Sequence, residues 1–151
     1  MGRAAGRARR DEERTLRCWR PGRPGRWTLS DYGRPVPESI TPIFRVADGH
    51  AAAEWYARLG FTVTGEHRFA PDLPLYLFLQ RGDNVFVHLS EHTGDARPGT
   101  LVYLYVEDLG AVADEFGVRV RTQPWGREVE LTDPDGNRLR VGGAGSAEPT
   151  A

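Results

Sequence analysis

Few residues in this chain could make or break a bond. The stock is four histidines, twenty-one carboxylates and one cysteine, and they are scattered. His50, His67 and His92 stand in helix, strand and loop text with no carboxylate partner at ligand spacing, and read as surface or packing residues. His88 and Ser90 share a strand face at i, i+2. That spacing could mimic a nucleophile–base pair, but two polar groups lining a cavity is the simpler reading. Neither G-x-S-x-G nor a phosphate-binding glycine loop occurs. The lone Cys18 can form no internal disulfide and supports no cysteine-based zinc cluster, as expected for a reducing compartment. The residues better suited to function are aromatic. Trp125 lies in a Pro124-Trp125-Gly126 corner directly before a strand, a poor place to fill a core and a good one to present a flat face. Arg127 would flank it. Tyr103 and Tyr105 alternate onto one face of another strand.

These side chains need a scaffold, and the text from Gln123 to Val141 supplies part of it. Val129 and Leu131 point one way along a strand, and Glu128, Glu130 and Thr132 point the other. Asp133-Pro134-Asp135-Gly136-Asn137 then carries turn chemistry, and Leu139 and Val141 resume the apolar face. Upstream, strands are expected over 40–46, 61–68, 75–80, 85–90, 100–106 and 118–121. Asp48 should cap a helix with Ala52, Tyr56 and Leu59 inward and Gly60 at its end. Asp108 should cap a second, with Leu109, Val112 and Phe116 inward and Gly117 closing it. The two halves match at an offset of 60: Val46 with Val106, Asp48 with Asp108, Ala51 with Ala111, Tyr56 with Phe116. The expected fold is therefore α+β, two tandem βαβββ modules (40–90 and 99–143) that share a core or find a partner chain.

With 151 residues, one domain or two small repeated modules fit the length. Residues 1–39, rich in Arg, Gly and Pro, are expected to be a disordered tail, and 144–151 a flexible one. An Arg-rich nucleic-acid arm is the alternative reading of the first segment. Ten Arg face five Asp or Glu in 1–39, whereas ten Arg face sixteen in 40–151, so the folded part is acidic. An acidic domain attracts cations and repels nucleic acid. No apolar run approaches the ~20 residues of a spanning helix, and no apolar secretion signal opens the chain, so a cytoplasmic location is expected.

Five strings carry a family resemblance: TPIFRVAD at 41–48, AEWYARLGF at 53–61, QRGDNVFVHLS at 80–90, TLVYLYV at 100–106 and QPWGREVELTDPDGN at 123–137. The chain resembles the vicinal-oxygen-chelate superfamily of glyoxalases, extradiol dioxygenases and bleomycin-resistance proteins. It is most similar to the bleomycin-resistance branch. The resemblance implies mixed sheets forming a cleft. It also implies a homodimer with an exchanged N-terminal strand, Pro42 standing at the family's hinge proline. Superfamily enzymes place four metal ligands at positions that fall here on Thr41, His88, Leu101 and Arg140, of which only His88 suits a metal. The implied function is thus non-enzymatic, without cofactor or metal: binding and sequestration of a bleomycin-type cationic, aromatic antibiotic. The implied ligand set is Phe69, Tyr76, His88, Ser90, Tyr103, Tyr105, Trp125, Gly126 and Arg127. A metal-dependent glyoxalase- or dioxygenase-like enzyme and a sensor or partner-binding module are the alternatives. Two segments depart from the family pattern: the connection at 117–122 is short, and the loop at 68–75 is long and proline-rich.

Overall fold

A computed structural model describes residues 38–143. The expectations for the two tails lie outside the described residues, Glu38 and Ser39 excepted. Along the chain run β1 (Ile43–Arg45), α1 (Gly49–Ala57), β2 (Thr62–His67), β3 (Tyr76–Arg81), β4 (Val85–Ser90), β5 (Leu101–Val106), α2 (Leu109–Phe116), β6 (Arg121–Gln123), β7 (Gly126–Thr132) and β8 (Arg138–Gly143). This is the expected βαβββ order, twice. The strands form two four-stranded sheets, ordered β1-β4-β3-β2 and β5-β8-β7-β6. In each, the first strand of the module runs parallel to the fourth, and the other pairs are antiparallel.

The repeat is visible in the helix caps. The Asp48 carboxylate accepts from the Ala51 amide at 3.0 Å, and Asp108 accepts from the Ala111 amide at 2.9 Å. Gly117 closes α2 in the left-handed region at φ 63°, as expected. The end of α1 differs from expectation. Arg58, in right-handed geometry, is its C-cap, and the chain turns through Gly60 two residues later. Arg58 is held there by the other module: its Nε donates to Glu115 at 2.8 Å and its guanidinium lies 4.1 Å from the Phe116 ring centre.

Two strands are also shorter or later than their text indicates. Only Ile43–Arg45 pairs in the first, since Ile40 is exposed and Pro42 has no amide to donate; its carbonyl accepts from the His88 amide at 2.9 Å. The expected strand at 118–121 is an extended connection whose Val118 and Val120 pack on the core, and pairing begins at Arg121.

One contiguous core joins the modules. Phe44, Leu77, Leu89 and Tyr56 from the first meet Leu104, Val129, Leu139 and Val141 from the second, all buried. Each such side chain contributes roughly 1.5–3 kcal/mol on burial. The helices pack on each other through Trp55 and Phe116, ring centres 5.2 Å apart. Each sheet therefore gives its helix-facing side to the core. Its other side is left open among the described residues.

The turn at 133–137 clamps the modules together. Asp133 accepts from the Tyr56 hydroxyl at 2.9 Å, from Asn137 Nδ2 at 2.9 Å, and from the Asp135 and Asn137 amides at 2.9 and 2.8 Å. Asn137 Nδ2 also reaches the Arg45 carbonyl at 3.0 Å, and Asp135 accepts from the Ala47 amide at 2.8 Å. Burial, reinforced by the Asp133 charge, pushes the Tyr56 hydroxyl far up, so it stays a donor. Asp133→Ala should leave these buried donors without an acceptor and cost about 3 kcal/mol, with Tyr56→Phe costing about 1 kcal/mol. Urea denaturation of both variants measures this; equal midpoints for Asp133→Ala and wild type would refute the clamp.

Candidate ligand-binding site

The register of the two sheets equates positions that the sequence leaves unaligned. Ile43 pairs with His88 in the first sheet; its repeat partner Tyr103 pairs with Arg140 in the second. His88 and Arg140 are therefore equivalent. By the same logic Tyr76, which pairs with Ser90, is equivalent to Glu128, which pairs with Gly142. All four side chains project to the open faces, because their strand neighbours Leu77, Leu89, Val129 and Val141 fill the core.

In the first module the equivalent pair is neutral. The Tyr76 hydroxyl and His88 Nδ1 are 2.9 Å apart, and the Phe78 ring stands edge-on to His88 at 4.8 Å. Burial lowers the His88 pKa to about 4 and, together with Asp95, raises that of Tyr76. At neutral pH this face presents an uncharged imidazole among aromatic rings.

In the second module the pair is ionic. Arg140 Nη2 donates to Glu128 Oε1 at 2.7 Å and Oε2 at 2.9 Å, and Nε adds a bond to Oε1 at 3.2 Å. Glu128 Oε2 also accepts from Trp125 Nε1 at 3.1 Å and the Tyr103 hydroxyl at 3.2 Å. Burial alone would raise the Glu128 pKa. The bonds from Trp125, Arg140 and Tyr103 outweigh it and hold the carboxyl below the usual range. The guanidinium lies 5.2 Å from the Trp125 ring centre and 5.6 Å from that of Tyr103. Tyr105 continues the plate, 4.9 Å from Tyr103. Trp125 is 48%, Tyr103 40% and Tyr105 68% exposed, so all three rings are available on this open face.

Gly142 makes that arrangement fit. The Tyr103 ring crosses β8 directly above it, and a Cβ on residue 142 would stand 2.5 Å from the Tyr103 hydroxyl oxygen. Only glycine lets the ring lie flat enough to reach Glu128 on the next strand.

Of the nine residues expected to hold a ligand, the structure brings Tyr103, Tyr105 and Trp125 together on one face and Tyr76 and His88 on the other. Gly126, at φ 139°, turns the β6–β7 corner that carries Trp125. Arg127 alternates to the other side of β7 from Glu128 and does not join the cluster. Ser90 is fully buried. Its hydroxyl donates to Asp95 at 2.6 Å and accepts from the His92 amide at 3.1 Å, which ties down the following loop. Phe69 is 76% exposed on the 68–75 loop, edge-on to His67 at 4.6 Å. Glu91 anchors that loop and α1 by accepting from the Leu75 and Gly49 amides at 2.8 and 2.9 Å.

Sequence reasoning passed over Glu128, Phe78 and Gly142. Glu128 read as the solvated side of a hairpin, yet it is 6% exposed. The signal was present in the repeat: beyond the helices the offset changes from 60 to 52, which aligns Glu128 with Tyr76 and Arg140 with His88.

Of the four positions that the resemblance implies for a metal, Thr41, His88, Leu101 and Arg140, only His88 offers a metal donor. Thr41 and Leu101 offer no strong one, and Arg140 is a fixed cation whose pKa its hydrogen bond to Glu128 raises further. No group of three metal-binding side chains occurs among the described residues.

A family model described as Glyoxalase superfamily protein matches residues 28–147. No curated protein matches the chain. Among solved structures, a bleomycin-binding protein complexed with bleomycin is 25% identical, with TM-score 0.56, covering 71% of this chain and 98% of that one. TnmS3, an antibiotic binding protein from Streptomyces sp. CB03234, is 23% identical, with TM-score 0.57, covering 72% and 98%. The bleomycin-binding protein of bleomycin-producing Streptomyces verticillus, complexed with copper(II)-bleomycin, is 24% identical, with TM-score 0.53, covering 71% and 96%.

Two outcomes follow from the geometry. Folding favours neutral His88, so its contribution to stability is complete above pH 6.5 and is lost as the pH falls towards about 4. Urea denaturation from pH 7 to 4 should show that loss, and His88→Phe should flatten it; an imidazole titrating near 6.5 by NMR would contradict it. Gly142→Ala should displace the Tyr103 ring and cost about 1–3 kcal/mol by overpacking, read by thermal unfolding.

Proposed function

Because this chain belongs to the glyoxalase superfamily, and its second sheet carries an exposed aromatic face, we propose that it binds a flat, aromatic antibiotic without transforming it. The bleomycin type is the specific candidate. The carrying observation is the plate formed by Tyr103, Tyr105 and Trp125 around the Arg140–Glu128 pair. Rings of this kind gain most from a planar partner, and the ion pair and Gly142 hold them in place before a ligand arrives. The solved bleomycin-binding protein complexed with bleomycin, similar over most of its length, supports the same ligand class.

Sequestration needs no chemical step. A ligand held on this plate is withdrawn from its target, and the acidic domain attracts the cationic parts of such a molecule over longer range. A homodimer suits the fold, since a second copy facing the open sides of the sheets would wall the exposed aromatic plate into a cleft. β1 lies on β4 of its own chain here, and exchange of that strand with a partner through the Pro42 hinge is part of the proposal. A cytoplasmic site of action belongs to it too; no helix among the described residues is long and apolar enough to cross a membrane.

Titration with copper-free and copper-loaded bleomycin, followed by tryptophan fluorescence, tests this reading. Saturable quenching is expected, and Trp125→Ala should weaken binding at least about tenfold, or 1.4 kcal/mol. The antibiotic should be recovered with unchanged mass. Absence of quenching, with Trp125→Ala behaving as wild type, would sink the proposal.

A further inference from the structure

The domain as a whole is acidic, but its aromatic plate is not. Two carboxylates stand on the open face of the second sheet, and both are neutralised. Glu130 pairs with Arg138 at 3.4 Å. Glu128 receives three bonds from Arg140 and one each from Trp125 and Tyr103. A carboxylate offers about four lone-pair sites, so Glu128 has nothing left for a ligand cation.

Arg140 is in the opposite condition. Nε and Nη2 are used on Glu128, while Nη1 donates to no protein acceptor among the described residues. The side chain is 30% exposed, and its plane is braced by Trp125 and Tyr103. A braced guanidinium with a spare pair of N–H donors is a preorganised acceptor-binding group.

We infer that the plate selects a planar ring bearing a hydrogen-bond acceptor, a carbonyl or a carboxylate, which docks its acceptor on Arg140 Nη1 and its ring on the Tyr103–Tyr105–Trp125 surface. The inference rests on the binding reading above and sharpens its ligand class. At the plate the ligand is neutral or anionic, and any cationic arm of a larger antibiotic lies beyond it. The equivalent pair in the first module, Tyr76 and His88, carries no fixed charge and makes no such selection.

Three probes with one ring system separate the possibilities: 2-naphthoate, 2-naphthamide and 2-(aminomethyl)naphthalene, titrated at pH 7 by tryptophan fluorescence and calorimetry. Naphthoate should bind tightest, the amide next, and the ammonium at least tenfold more weakly than naphthoate. Glu128→Gln combined with Arg140→Gln removes both charges together, and should abolish the naphthoate–amide gap in a protein shown by circular dichroism to be folded. The wild-type ranking stands as a test if that variant does not fold. An ammonium probe that binds as well as naphthoate overturns the inference, as does no binding by any probe at millimolar concentration, or an unchanged ranking in the folded double variant. If bleomycin binds but the ranking is reversed, this inference falls and the antibiotic reading stands. If the ranking holds but bleomycin does not bind, the antibiotic reading falls and this inference stands.

Discussion

One carboxylate holds the two halves of this protein in register. Asp133 sits at the end of β7 and takes the Tyr56 hydroxyl from the first module's helix and the Asn137 side chain from its own turn, while Asn137 reaches back to the Arg45 carbonyl. Asn137 is fully buried and Asp133 nearly so, and a buried carboxylate is tolerable only when its lone pairs are used. Here the backbone amides of the turn complete the set. The consequence reaches the ligand face, because β8 begins at the residue after Asn137. The turn thereby fixes the start of β8, and Arg140 with it.

The site arises from divergence within a repeat. Both modules place a polar pair at the same two strand positions, and the pairs have become different things. Tyr76 and His88 form a neutral, partly desolvated contact, and Glu128 and Arg140 an ion pair bonded to two aromatic side chains. A buried ion pair is a weak source of stability, since desolvation offsets its attraction. Its value here is geometric. Five hydrogen bonds to one carboxylate fix Trp125, Tyr103 and Arg140 relative to one another, so a ligand meets an ordered surface rather than three mobile side chains. The same divergence puts a permanent cation in the second sheet at the position where the first sheet carries a neutral imidazole.

Much of this was legible in the residues. The caps Asp48 and Asp108, the Gly117 stop and the alternation in 123–141 are local signals, and each produced the expected element. The open-face pair Tyr103 and Tyr105 and the Trp125 corner followed from strand parity and from Pro124 and Gly126. What the text hid depended on contacts between distant segments. Glu128 looked solvated because its burial comes from Trp125 and Tyr103, three and twenty-five residues away. Ser90 looked like a cavity residue because nothing local shows that Asp95 folds back to take its hydroxyl. The end of α1 lies at Arg58 rather than Gly60, and the contact of Arg58 with Glu115 of the other module is not visible in the local text. Asp133-Pro134-Asp135-Gly136 read as a turn, which it is, but its role as a clamp needed Tyr56 in space.

The central claim is that the Tyr103–Tyr105–Trp125 plate around Arg140 receives an antibiotic that leaves unchanged. NMR of isotope-labelled protein during addition of bleomycin tests it most directly. The expected result is saturable shifts concentrated at Trp125 Nε1–H, Arg140 Nε–H and the Tyr103 and Tyr105 amides. Shifts confined to residues away from this face, or an antibiotic signal that converts to a new species with time, would contradict the account.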